Sequence, residues 1–372
     1  MSFTTVDDPS AHFQVLTYTG NSSSTTSSDR NLTNVGNSDL QPDLIYLFNR
    51  DSALTGGQKI YDSTRGAGSG NSLSSTISNP AGYNDAIYGY VNSFNSDGFG
   101  VRAGTDSNRW YVDRGGGGGD RYVAYQWKAN GGTTSSNTDG TITSTVQANT
   151  TGGISIVQWT GGGSAGSVGH GLGQKPAWVI YKKYNNTQNW NVNHEGLNSA
   201  AGVYYLNVNF SEGTDAGIVS SAPTATVLNI GADAAASGDN YMAYCFAEKT
   251  GFSKFGRAYG NGLARGLYVP CGFKPKFVYW RNTTRNGDGA GWLYDTERDP
   301  NNNSAYRRLR TDSNAGESTQ TDGGTVMEFR GNGFAVTDSL AQSWNYNDDG
   351  YVYAAFAENP FVTSSGAPTT AI

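Results

Sequence analysis

The clearest pattern of hydrophobic positions in this chain is an eight-residue block that occurs three times. Two copies are closely alike, Tyr241-Met-Ala-Tyr-Cys-Phe-Ala-Glu248 and Tyr351-Val-Tyr-Ala-Ala-Phe-Ala-Glu358, and a more distant copy reads Tyr122-Val-Ala-Tyr-Gln-Trp-Lys-Ala129. A run this rich in aromatic and aliphatic residues, without helix caps, is typical of a buried β-strand. The repetition predicts three related units, each closed by such a strand.

A second hydrophobic block follows a proline in each predicted unit. The three blocks read Pro42-Asp-Leu-Ile-Tyr-Leu-Phe48, Pro176-Ala-Trp-Val-Ile-Tyr181 and Pro275-Lys-Phe-Val-Tyr-Trp280. Proline lacks the amide hydrogen that a β-ladder needs but is tolerated at the first position of a strand, so we interpret these prolines as strand entries. The signature of the repeat therefore includes Pro42, Pro176 and Pro275 together with the closing residues Tyr122, Tyr241, Tyr351, Glu248 and Glu358.

A polar corner follows the proline-led strand in two of the units. Its copies read Ile60-Tyr-Asp-Ser-Thr-Arg65 and Leu293-Tyr-Asp-Thr-Glu-Arg298, and the middle unit has Asn193-His-Glu-Gly-Leu197 in that place. Asp62 and Arg65 of the first unit correspond to Asp295 and Arg298 of the third. Because the pair recurs at equivalent corners, we expect a salt bridge or a turn cap in each rather than one active site.

Turn signals complete the prediction of an all-β fold. Asp-Gly-Phe at 97–99 and Asn-Gly-Phe at 332–334 are strong hairpin signals. The chain contains 51 glycines and only 15% charged residues, which indicates many short strands. We predict three tandem β-sandwich repeats of jelly-roll or lectin-like type. The expected boundaries are 1–130, 154–250 and 251–362, with a Gly/Ser/Thr-rich linker at 131–153 and a polar tail at 363–372. Residues 146–154 could form an extra strand.

Composition narrows the classes of partner. An aromatic content of 12% argues against general disorder, and a net charge of -6 without a basic run argues against a nucleic-acid backbone as partner. No stretch of about 18 apolar residues occurs, so we expect synthesis in a cytoplasm and no membrane insertion. With only two cysteines, Cys245 and Cys271, we expect free buried thiols, although the sequence leaves their pairing open.

The residues that could carry catalysis are few. The three histidines, His12, His170 and His194, stand in no recognisable nucleophile or metal motif. The acids that could cleave a glycan in pairs are Asp295, Glu297, Glu248 and Glu358. Since several of these belong to the repeated signature, we predict no catalytic, cofactor or metal site.

Aromatic residues in the loops are the remaining candidates for contact with a ligand. They are Trp110, Trp190, Trp344 and Tyr346, and they stand among asparagines. Rings stack on sugars and asparagine pairs with hydroxyls, so a surface that binds glycans is one interpretation. The alternative is that these rings pack the ends of the sandwiches or a subunit interface.

The order of these motifs resembles a domain of tailed-bacteriophage and cyanophage virion structural proteins. The resemblance rests on Tyr-Thr-Gly at 18–20, Asn49-Arg50-Asp51, Asp-Ser-Thr-Arg-Gly-Ala at 62–67, Ser-Phe-Asn-Ser-Asp-Gly-Phe at 93–99 and Phe-Ala-Glu-Asn-Pro-Phe at 356–361. It implies a non-enzymatic virion protein made in the host cytoplasm, of tail fibre or tail-associated type. Its implied partners are copies of itself, with a trimer favoured, other virion proteins and a host surface polysaccharide.

Two other hypotheses remain open at the level of sequence. No heptad stretch for a trimeric stalk is present, which keeps a capsid decoration or head-fibre protein in view. A glycan-degrading depolymerase is the hypothesis from another class.

Overall fold

The computed structural model describes residues 4–21, 29–51, 53, 57–106, 111–263, 266–299, 304–319, 326–337 and 344–369. The protein is nearly all β, with 44% strand and 4% helix, and its strands form several antiparallel sheets, none of them closed. The helical elements are α1 (Asp85–Tyr88) and 3-10 turns at Pro9–Ala11, Gly116–Gly118 and Ala232–Ala234. The predicted all-β class is confirmed.

The first part of the chain contributes one large and one small sheet. Its strands are β1 (Phe13–Thr19), β2 (Asp29–Leu32), β3 (Leu44–Asn49), β4 (Lys59–Asp62), β5 (Leu73–Ser74), β6 (Tyr90–Phe94), β7 (Phe99–Arg102) and β8 (Arg121–Trp127). The first large sheet has the order β1-β8-β3-β4-β5, and the first small sheet has the order β2-β7-β6.

The middle part of the chain forms a second pair of sheets. Its strands are β9 (Ser135–Asn137), β10 (Ser144–Asn149), β11 (Ile154–Thr160), β12 (Gly166–Gly169), β13 (Trp178–Lys183), β14 (Asn191–His194), β15 (Gly202–Tyr205), β16 (Gly213–Thr214), β17 (Val219–Ser221), β18 (Val227–Ile230) and β19 (Asn240–Phe246). The second large sheet runs β16-β15-β14-β13-β19-β11-β10-β9, and the second small sheet runs β12-β18-β17.

The last part of the chain forms a third pair. Its strands are β20 (Ser253–Tyr259), β21 (Leu267–Pro270), β22 (Phe273–Asn282), β23 (Gly291–Asp295), β24 (Ser304–Ala305), β25 (Arg307–Arg310), β26 (Ser318–Thr319), β27 (Met327–Arg330), β28 (Gly333–Val336) and β29 (Gly350–Pro360). The third large sheet runs β20-β29-β22-β23-β25-β26, and the third small sheet runs β21-β28-β27-β24.

The three large sheets share one arrangement of five adjacent strands, which are β1-β8-β3-β4-β5, β11-β19-β13-β14-β15 and β20-β29-β22-β23-β25. The repeated hydrophobic blocks form β8, β19 and β29, and each lies between the proline-led strand and the strand β1, β11 or β20. Pro42 and Pro176 precede β3 and β13, whereas Pro275 lies inside β22 at an irregularity of the ladder. Both places suit a residue that donates no backbone hydrogen bond.

One aromatic cluster joins the three large sheets. The rings of Trp127, Phe246 and Phe356, one from each repeated block, have centroids 5.7, 5.8 and 5.6 Å apart and form a nearly equilateral triangle. Each pair meets edge to face, the arrangement that the ring quadrupole favours. These three rings, defined here as the ring triangle, belong to a continuous core with members from all three large sheets.

Side chains alternate along the repeated blocks, as the pleat of a strand requires. In β19, Met242, Tyr244 and Phe246 point to the central core, while Tyr241 and Cys245 point to a second core under the second small sheet. In β8 the same alternation places Tyr122 and Ala124 in a third core under the first small sheet. Two opposite faces of these strands are therefore buried, which explains their continuous hydrophobic character.

Residues 131–153 differ from the free linker that their composition predicts. The amides of Gly131 and Gly132 donate to the carboxylate of Asp43 at 2.8 Å, and β10 pairs with β11 in the second large sheet. Val146 in β10 is buried. The Thr-rich composition that suggests a linker also suits a strand, because β-branched residues pack well on a pleated surface.

We expect Phe356→Ala to lower the free energy of unfolding by about 3–5 kcal/mol, because the deletion leaves a cavity where three sheets meet. Denaturant unfolding followed by tryptophan fluorescence measures the loss. The matched control is Phe361→Ala, whose ring is 42% exposed, and its effect should stay within about 0.5 kcal/mol. Equal effects of the two substitutions would contradict a central role for the ring triangle.

Candidate functional site

The two predicted Asp-Arg corners lie at contacts between the large sheets. The Nε–H of Arg65 donates to Asp62 Oδ2 at 2.7 Å, and that of Arg298 donates to Asp295 Oδ2 at 2.5 Å. In each corner the backbone N–H of the arginine also donates to Oδ1 of its aspartate. Each aspartate therefore caps a turn and pairs with a charge at the same time.

A tyrosine from another sheet completes each corner. The hydroxyl of Tyr244 in β19 donates to Asp62 Oδ2 at 2.9 Å, and the hydroxyl of Tyr125 in β8 donates to Asp295 Oδ2 at 2.7 Å. Both aspartates are fully or almost fully buried. Tyr244 thus links the second large sheet to the first, and Tyr125 links the first large sheet to the third.

His194 occupies the corresponding position of the second large sheet. It pairs with Trp178 in the ladder as Asp62 pairs with Leu44 in the first sheet. In the third sheet Ala354 stands where β8 and β19 have Tyr125 and Tyr244, so no hydroxyl is present there.

The imidazole of His194 supplies the third contact between sheets. Its Nε2 lies 3.0 Å from the carbonyl oxygen of Tyr353, and its Nδ1 accepts from the N–H of Gly196. Burial lowers the pKa of His194 to about 4, so the ring is neutral near pH 7 and its Nε2–H donates to that carbonyl. The third sheet thereby bonds to the second, and the cycle of contacts is closed.

A buried ion network extends the Asp295 corner. Glu317 accepts from Arg50 at 2.9 Å and from Arg298 at 3.1 Å, which links the first and third parts of the chain. The side chains of Arg298 and Asp295 are fully buried. Buried charges of this kind require partners, and here each has one.

The two glutamates that end the repeated blocks also pair with bases. Glu248 lies 2.7 Å from Lys254, and Glu358 lies 3.0 Å from Lys274. Glu297 contacts Lys276. The carboxylates that the sequence offered as glycosidase acids therefore each have a cationic partner.

The four aromatic candidates differ in accessibility. Trp190 is 0% exposed and its indole N–H donates to the carbonyl of Ser74 at 2.8 Å, so it cannot stack on a sugar in this structure and the glycan interpretation fails for it. Trp344 is buried beneath the guanidinium of Arg308, and Tyr346 is half-buried beside Arg285. Trp110 lies outside the described residues.

The cysteines are the remaining groups with reactive side chains that the sequence singled out. Cys245 and Cys271 are free and buried, as predicted, and burial raises the pKa of both thiols. Among the described residues no group of three or more His, Cys, Asp or Glu side chains could hold a metal ion. None of the described helices is long and apolar enough to cross a membrane.

An open polar site lies at the outer edge of the second large sheet. Two clefts there have volumes of about 310 and 250 Å³, and Tyr205 and Asp215 line both. We call them together the Tyr205 groove. The edge strand β16 holds its rim, because Val203 pairs with Gly213 and the chain then turns at Asp215.

Two carboxylates converge in the groove beside a glycine. A Cβ placed on Gly217 would lie 2.2 Å from Asp233 Oδ2 and 3.1 Å from Asp215 Oδ1, so the absence of a side chain at this position leaves room for both. Asp215 Oδ1 accepts from the N–H of Gly217 at 3.0 Å. Sequence reasoning missed these acids because they belong to no repeated motif.

A comparison with families of known proteins matches residues 8–360 to one family model, described as a domain of unknown function (DUF7483). The match covers all three large sheets. The chain belongs to the DUF7483 family. No curated protein matches the chain.

A single match across residues 8–360 treats the three sheets of the DUF7483 chain as one domain. This agrees with the geometry, because the ring triangle and the cycle of corners connect all three. The structural unit to be tested is therefore the whole DUF7483 chain.

Tyr244→Phe should lower the free energy of unfolding of the DUF7483 chain by about 1–3 kcal/mol, since it removes a hydrogen bond to a buried carboxylate. Tyr181→Phe is the matched control, because the buried Tyr181 hydroxyl has no hydrogen-bond partner within the described parts of the chain. Its removal should leave stability unchanged or slightly higher. Chemical denaturation at pH 7 compares the two, and a larger loss in the control would refute the role of the corner.

The depressed pKa of His194 predicts a dependence of stability on pH. In the unfolded chain the imidazole has an ordinary pKa near 6.5, whereas in the folded protein it becomes protonated only near pH 4. The contribution of His194 to the free energy of unfolding is therefore fully present above pH 6.5, and it falls by about 3 kcal/mol as the pH drops to 4. Urea midpoints measured between pH 7 and 4.5 should decline less steeply for His194→Gln than for the wild type, and parallel declines would rule out this assignment.

Proposed function

We propose that this protein consists of three β-sandwich units and serves as a non-enzymatic structural protein of a tailed-phage virion, in a tail fibre or another host-facing projection. It would be made in the host cytoplasm and assemble with copies of itself, with a trimer favoured, and with other virion proteins. The resemblance of its motifs to virion structural domains motivates the assignment.

The observation that carries the proposal is the closed cycle of buried contacts between the large sheets. Tyr244 with Asp62, Tyr125 with Asp295, and His194 with the Tyr353 carbonyl tie each sheet to the next. The polar groups at these contacts are used for cohesion. A rigid body of this kind suits a part that bears load on a particle.

The acids of the repeated signature support a structural role over a depolymerase. A glycan-cleaving pair needs one carboxyl free to give up a proton. Glu248 and Glu358 instead lie next to lysines, and Asp295 accepts from both Arg298 and Tyr125.

Exposed apolar side chains on the third part of the chain support assembly through protein contacts. Tyr259 is 58% exposed and Leu263 is 62% exposed. They lie four residues apart in sequence, and Gly262 between them donates its N–H to the carbonyl oxygen of Asn345. Neighbouring exposed apolar residues of this type are commonly covered in an assembly.

Quantitative mass spectrometry of purified particles tests the proposal. The measurement uses the intact chain, because removing residues 1–130 would delete Trp127 and expose the other two rings of the ring triangle. We expect the protein in the particle at a few dozen copies or fewer. Hundreds of copies would indicate a capsid decoration or head-fibre protein instead, and absence from particles would overturn the virion assignment.

A further inference from the structure

We propose that the Tyr205 groove binds a neutral, hydroxyl-rich glycan. The residues that line the groove lie within the described ranges 111–263 and 266–299. It is distinct from Trp190, Trp344 and Tyr346, the described aromatic residues that the sequence suggested as glycan contacts, since none of these three lines either cleft.

A residue that lines the smaller cleft carries a buried polar atom that lacks a partner among the described residues. Asn191 is 2% exposed, lines the smaller cleft and donates its Nδ2–H to the carbonyl of Asn189 at 3.1 Å. Its Oδ1 accepts no hydrogen bond from the described residues. A buried acceptor left without a donor costs about 1–3 kcal/mol, so a hydroxyl that reaches it would recover free energy.

The wall of the groove adds acceptors that carry negative charge. Asp233 is exposed and Asp215 is half-buried. No basic side chain among the described residues lies within 4.0 Å of either carboxylate, and Lys183, the lysine that lines the smaller cleft, is held 2.7 Å from Asp239. The groove therefore offers acceptors to a ligand that brings donors.

Aromatic residues line the groove together with these acceptors. Tyr205 lines both clefts and pairs across the ladder with Asn191, so the two residues are neighbours in the sheet. The ring of Phe210, 52% exposed, lines the larger cleft. Rings that combine an apolar face with nearby polar groups suit a ligand that is itself apolar on one side and polar on the other.

These features together select a class of ligand. A pyranose has a C–H face for Tyr205 and hydroxyl donors for Asn191, Asp215 and Asp233. A uronic or sialic acid would bring its carboxylate toward two unpaired carboxylates, and like charges at short range repel. The groove should therefore prefer uncharged hexose chains to acidic polysaccharides.

The inference deepens the proposed host-facing role, and only the biological use of the groove rests on that role. Glycan binding can be measured on the isolated full chain, whereas the virion role is measured on particles. A chain that fails to bind sugar but is counted in particles would overturn this inference alone. A chain that binds sugar but is absent from particles would overturn the proposed function alone.

The test is an array of neutral hexasaccharides of glucose, mannose and galactose, with oligogalacturonate of the same length as the acidic comparator. We expect saturable binding to at least one neutral chain and weaker or no binding to the acidic one. Tyr205→Ala and Asp233→Ala should each weaken that binding about tenfold, which corresponds to about 1.4 kcal/mol.

Two features keep the test decisive. The side chain of Asp233 is exposed and forms no ion pair with any residue that the structure describes, so its removal should leave the fold intact even if Tyr205→Ala perturbs the edge strand. Tyr259→Ala, an exposed tyrosine on the third large sheet, is the matched control and should bind as the wild type does. Absence of binding to every neutral chain, preference for the acidic chain, or wild-type binding by both groove variants would each overturn the proposal.

Discussion

The rest of this structure depends on three aromatic rings that share one small volume. Trp127, Phe246 and Phe356 each come from the same position of a repeated block and lie within 5.8 Å of one another. Because a strand shifted by one residue would turn its ring to the opposite face, the triangle fixes the register of three strands together. Those strands each lie between two neighbours, so their register is imposed on the large sheets.

Apolar packing alone does not specify the orientation of one sheet against the next. The buried corners do, because a charged or polar group in a core is tolerated only when its partners are correctly placed. Asp62 requires Arg65 from its own turn and Tyr244 from another sheet. The neutral His194 meets the same requirement with a backbone carbonyl, which shows that the contact is kept while its chemistry changes.

The use of the repeated residues for contacts between sheets explains where a surface for a ligand is found. The repeated polar residues are occupied by contacts between sheets, so the positions that the repeat makes conspicuous are unavailable to a ligand. The Tyr205 groove lies at the free edge of the second large sheet, where β16 lies beyond the five strands that all three large sheets share. At such an edge, loops can vary without disturbing the ring triangle.

The sequence by itself determined the all-β class, the three copies of the central strand and the pairing of Asp62 with Arg65 and of Asp295 with Arg298. These follow from local patterns, since hydrophobic alternation and short turn motifs report on neighbours along the chain. Only the tertiary structure decided that Trp190 is inaccessible and that Asp215 and Asp233 meet beside Gly217. Each of these depends on residues distant in sequence, and a pattern read along one segment contains no information about which other segment will pack against it.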